Sequence, residues 1–203
     1  MISQLFFQTR KKLLILGSRM NNKTFSASEL TRKIRRQFSA KEFVFTTRRD
    51  YAVDVNSIIV GGFYDSSNDQ ASLPCIEINL HYHPEQDMYL ANQLEWDRIS
   101  FDIAECVSHE MIHRLQFQKS KKIKKYTSLK NNTQDREDQE YLGSSDELEA
   151  YGFSIAAESF VYQAPLSECA MHCVYTKTFD NDNGIITQLE KHINKYTKEL
   201  ELS

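Results

Sequence analysis

The chain has 203 residues, of which 40% are apolar and 26% charged, with a net charge of −3. That length and composition suit one globular domain with a substantial core and exclude wholesale disorder. The small net charge gives no reason to expect a strongly acidic or basic partner, so neither nucleic acid nor a membrane surface is expected. No run reaches the about 18 apolar residues of a membrane span. At the N-terminus, MISQLFFQTRKKLLILG has basic residues interrupting its apolar stretch, unlike a secretory leader. Cys75, Cys106, Cys169 and Cys173 follow no framework spacing, so reduced thiols and a cytoplasmic protein are expected.

In chain order, the first 25 residues carry no assigned element. Ser26-Ala27-Ser28-Glu29 fits a capping box, and Leu30, Ile34 and Phe38 follow at helical spacing, predicting a helix that ends near Lys41. Three strand-like runs come next: Glu42–Thr47, Tyr51–Tyr64 and Cys75–His83. The polar stretch Asp65–Gln70 reads as the loop joining the last two, and Pro84 ends the third. From Trp96 to Gln118 the pattern is helical, with Ile99, Ile103, Cys106 and Val107 as its apolar stripe. A hydrophilic stretch over about 119–140, lysine-rich and then acidic, reads as an exposed loop. Ser144 or Ser145 then caps a new helix, Pro165 opens another carrying Cys169 and Cys173, and Ile186, Leu189, Ile193, Tyr196 and Leu200 mark a C-terminal amphipathic helix. The order predicts a single α+β domain over 1–203, with a sheet-containing part at 1–95 and a helical part at 96–203.

The segment Val107–Leu115, VSHEMIHRL, carries the chemistry. His109 and His113, four apart on a helix, project from one face on successive turns and can reach a single metal ion. Imidazole nitrogen suits zinc, at about 2.0–2.1 Å. Glu110, directly after the first histidine, is offset by ~100° and is set to hydrogen-bond a metal-activated water rather than to bind the metal. It is therefore the candidate general base.

A catalytic zinc needs a third protein ligand and an open position. In the variant HExxHxxGxxH the glycine position here is Gln116 and the third histidine position is Lys119, so that variant is excluded. The stretch SSDELEAYG, Ser144–Gly152, supplies acids on a second helix. With HEMIH followed by ELEA, the sequence resembles the gluzincin metallopeptidases, in which HExxH is followed by a glutamate in an E-x-x-A-type helix. The resemblance covers those two motifs and a strand before the first helix. The chain as a whole is also similar to small peptidase-like proteins encoded by tailed phages, which would place it in host cytoplasm or in a virion. The resemblance implies a zincin-like fold, a small mixed or antiparallel sheet packed on the HExxH helix before a helical C-terminal half. It also implies His109, His113 and Glu147 as zinc ligands and Glu110 as base. Asp146 and Glu149 remain rivals for the third ligand.

In such enzymes a strand beside the active-site helix takes an extended peptide as one more strand. Cys75–His83 is the expected one, with Ile78, Asn79, Leu80 and His81 as substrate-binding residues. Tyr141, Tyr151 and His172 are candidate donors to the developing oxyanion, and Tyr141 is placed nearest by its position before the Glu147 helix. His81 with His83, and Cys169 with His172 and Cys173, read as surface histidines and buried cysteines rather than second metal sites. The expected function is zinc-dependent hydrolysis of a peptide or protein substrate. The alternative is a catalytically inactive zincin-fold binding protein that keeps its zinc, and oligomeric state is open.

Overall fold

A computed structural model describes residues 1–120, 139–180 and 182–203. The chain separates into two compact units, Met1–Met111 and Ile112–Ser203. The division falls inside the long helix α4 (Trp96–Ser120). Each unit is built differently.

The first unit begins with a helix that the residue pattern had left unassigned, α1 (Ile2–Met20). Its basic residues break the apolar run only along the sequence. Wound into a helix, Ile2, Phe6, Leu13, Gly17 and Met20 fall on the buried side, while Lys11 and Lys12 face solvent. Arg10 reaches Asp97. Gly17 is needed for contact: a Cβ there would lie 2.5 Å from the Trp96 ring. With Phe6 and Leu13 fully buried, this segment is part of the core.

Strand β1 (Thr24–Ser26) pairs antiparallel with β5 (Met88–Leu90). Helix α2 (Ala27–Arg35) starts with the expected capping box, Ser26 and Glu29 satisfying each other's backbone N–H. It stops short of Lys41 because the chain tightens into turns, the N–H groups of Gln37 and Phe38 donating to the carbonyls three residues back. A second sheet has the order β2 (Phe43–Arg49), β4 (Ile76–Tyr82), β3 (Ile59–Tyr64). Strand β4 is parallel to β2 and antiparallel to β3, so the sheet is mixed.

The alternation in β4 holds: Ile76, Ile78, Leu80 and Tyr82 are fully buried, and Glu77, Asn79 and His81 lie on the more open face. The expected strand over Tyr51–Tyr64 forms only in its second half. Before it, the Asp50 carboxylate accepts from the Ala52 N–H and Asn56 takes a left-handed backbone (φ 64°), so polar side chains turn the chain. The expected loop at Asp65–Gln70 is instead a short helix, α3 (Ser66–Gln70), capped by the Asp65 carboxylate.

Helix α4 covers the inner face of this sheet, and Ile99, Ile103, Cys106 and Val107 join Phe43, Phe45, Ile78 and Leu80 in one core. Contact is close at Gly62 of β3, where a Cβ would lie 2.7 Å from Cys106 Sγ and 2.9 Å from the Glu77 carbonyl oxygen. The carbonyl belongs to the sheet ladder and cannot retreat without breaking it. Gly62→Val is therefore expected to cost about 1–3 kcal/mol, the range for an overpacked core. Urea unfolding checks this, and an unchanged midpoint would mean that the helix–sheet contact is looser than described.

The second unit is helical. Helix α5 (Ser145–Tyr162) is capped by Ser144, whose hydroxyl accepts from the Glu147 N–H at 3.4 Å, and it ends at Gln163 in the left-handed conformation. Pro165 does not open a helix directly. It precedes a short 3₁₀ turn (Leu166–Glu168), and α6 (Ala170–Thr178) follows. Helix α7 (Asn183–Glu201) packs on α5 at Gly152, where a Cβ would come within 2.5 Å of the His192 Cβ. Phe153 and Tyr196 meet edge to face nearby, with ring centroids 5.3 Å apart. The architecture is thus mixed α+β, with small sheets first and helices after. Most of the expected exposed segment, 121–138, lies outside the described residues; its flanks at 118–120 and 139 are exposed. Among the described residues no helix is long and apolar enough to cross a membrane.

Candidate metal centre

Helix α4 runs unbroken through HEMIH, so its own geometry fixes His109 and His113 one turn apart. His109 and Glu110 are each 7% exposed, an unusual depth for polar side chains that only solvate a helix. On α5, Glu147 occupies the first turn and is also 7% exposed. The Nε2 atom of His113 lies 3.4 Å from Glu147 Oε1. The candidate ligand atoms of His109, His113 and Glu147 all lie within 4.8 Å of one another. Among the described residues, this is the group of histidines and acids gathered closely enough to hold a metal ion.

The rival acids are engaged elsewhere. The Asp146 carboxylate accepts from the Ser145 hydroxyl at 3.2 Å. Glu149 accepts from Lys195 Nζ at 2.7 Å and from Gln116 Nε2 at 3.1 Å. Burial alone would raise the Glu149 pKa, but the Lys195 and Gln116 bonds outweigh it and hold the carboxyl below its usual range.

Comparison with family models, with curated proteins and with solved structures gives no match for this chain. What the centre can do follows from its own donor atoms.

The other expected site residues are placed as follows. Ile78 and Leu80 point into the core and cannot touch a substrate. Asn79 accepts from Thr46 and Arg48, and His81 faces Asp50 at 3.4 Å. Strand β4 is paired on both sides, so it has no edge at which to add a peptide. Among the described residues β3 pairs with β4 alone, and its outer edge carries no second strand.

Tyr141 is 42% exposed in the short helical stretch at 139–142. Tyr151 stacks edge-on against Tyr175, whose hydroxyl donates to the Leu142 carbonyl at 2.9 Å. Burial, reinforced by Tyr151, Glu147 and Tyr141, pushes the Tyr175 phenol far up, so it stays a proton donor. Cys169 is buried ahead of α6 while Cys173 is exposed, and with His172 they form no metal-binding group among the described residues. The residue pattern passed over two side chains in the surroundings of the centre. Tyr175 gives no local signal, whereas Gln116 stands three after His113, a spacing at which helix side chains meet.

Proposed function

We propose that the chain is a zinc-dependent metallopeptidase, with His109, His113 and Glu147 holding the metal and Glu110 as general base. The observation that carries this is the convergence of two imidazoles and one carboxylate, brought together from two helices and largely buried. Three protein ligands with nitrogen and oxygen donors are the set of a catalytic zinc, which keeps a position open, rather than of a closed structural one. The His113–Glu147 separation of 3.4 Å also fits. Ligands about 2.0–2.2 Å from a tetrahedral zinc stand about 3.3–3.6 Å apart.

Zinc bound there would polarise a water molecule and the scissile carbonyl. Glu110 is turned ~100° from His109 and ~60° from His113 around the helix, beside the ligands but not among them. It takes the proton of the attacking water and passes it to the leaving amine. An extended peptide would lie along the outer edge of β3, in place of the β4 pairing expected from the residue pattern. Supporting that assignment, Gly62 of β3 packs on Cys106, which precedes Glu110 by one turn on the same helix face.

The test is hydrolysis of a diverse peptide mixture by the zinc-loaded chain, read by mass spectrometry. Cleavage that a chelator stops and added zinc restores is expected. No cleavage by protein shown to contain zinc would contradict the peptidase reading and favour the binding-protein alternative. The 3.4 Å contact also permits a metal-free His113–Glu147 ion pair, which predicts no zinc at all.

A further inference from the structure

We propose that Gln116 is a positioning residue that holds the His113 ring, with the proton on Nδ1, so that Nε2 is presented to the metal. This rests on the metal-site reading above. Gln116 Oε1 lies 3.0 Å from His113 Nδ1. The orientation of the amide is set by its other end, where Nε2 donates to the Asp146 carbonyl at 3.0 Å and to a Glu149 carboxylate oxygen at 3.1 Å. A backbone carbonyl can only accept, so the NH₂ group must face it, and the amide oxygen must face the imidazole. That oxygen accepts, so Nδ1 carries a hydrogen, and in the neutral ring the lone pair is then on Nε2, on the side of Glu147.

The chain of contacts continues outward. Glu149 Oε1 is held by Lys195 Nζ at 2.7 Å and by the Tyr196 hydroxyl at 3.3 Å. Helix α7 thus anchors the carboxylate that anchors the amide that orients the ligand. Gln116 itself is half-buried, with both ends of its amide bonded, so little freedom is left in its side chain. Outer partners of this kind fix the tautomer and raise the basicity of a metal-bound imidazole, and losing one costs about 10–100-fold in metal affinity. Gln116 bonds the His113 ring directly, so it acts through that ligand and not on the substrate.

Gln116→Met keeps the length of the side chain and removes both hydrogen-bonding functions. The variant is expected to bind zinc about 10–100-fold more weakly, measured by competition with a chelator, while the metal-free chain stays folded by circular dichroism. Unchanged zinc affinity would overturn the proposal. The second readout needs no metal: ¹⁵N chemical shifts of His113 at about pH 8, above the ordinary histidine pKa of about 6.5. Wild type should show the Nδ1–H tautomer and Gln116→Met a shift toward the other. An Nε2–H tautomer in wild type would overturn the proposal even if the variant failed to fold. If neither wild type nor variant binds zinc, the metal-site reading fails, and the tautomer still decides whether Gln116 holds the ring.

Discussion

Glu110→Gln is expected to keep zinc bound and to lower peptide hydrolysis by about 10²–10⁴-fold, the usual contribution of a positioned general base. The amide matches the carboxylate in size, so the packing beside Cys106 is preserved, but it cannot accept the proton of the attacking water. Burial pushes the Cys106 thiol well up, and the charges of Glu105, Glu110 and Asp102 push it further. The thiol therefore stays protonated and does not substitute as a base. The measurement is kcat on a peptide that wild type cleaves, at matched zinc content. An undiminished rate would remove Glu110 from the mechanism while leaving the metal site intact.

Glu147→Ala is expected to weaken zinc binding by more than the ~100-fold upper range for a lost outer partner, because it removes a ligand atom. The fold should tolerate the change. Helix α5 keeps its Ser144 cap and Asp146 in the first turn, and a lost first-turn acid costs about 0.3–1 kcal/mol. Asp146→Ala serves as the comparison, since its carboxylate bonds only Ser145 among the contacts described, and it should bind zinc like wild type. Chelator competition on the two variants separates the assignments. Weak binding by Asp146→Ala with normal binding by Glu147→Ala would transfer the third ligand.

Much of the candidate centre was legible because helices write their geometry locally. The capping signals at Ser26 and Ser144 and the i, i+4 spacing of His109 and His113 each depend on a few neighbouring residues. Sheet position is not local. The alternation of β4 told which side chains are buried, but a central strand and an edge strand alternate alike, so its double pairing was hidden and the peptide-binding assignment failed there. The turn at Asp50–Asn56 was missed because the apolar Tyr51, Val53 and Val55 outweighed the turn-forming Asp50, Asp54 and Asn56 between them. Helix α1 was missed for a related reason, since Lys11 and Lys12 interrupt an apolar run in sequence yet occupy the far side of a helix. The role of Gln116 required knowing that α5 brings the Asp146 carbonyl and Glu149 to it, a contact 30 or more residues away in sequence.

The central claim is that His109, His113 and Glu147 hold one metal ion, and zinc content tests it most directly. The purified chain, stripped by chelator, reloaded with zinc and desalted, should retain about one zinc per chain by elemental analysis. The Glu147→Ala variant treated in the same way should retain little. No retained zinc in a folded wild-type chain would contradict the account and leave HEMIH as a helix whose His113 pairs with Glu147.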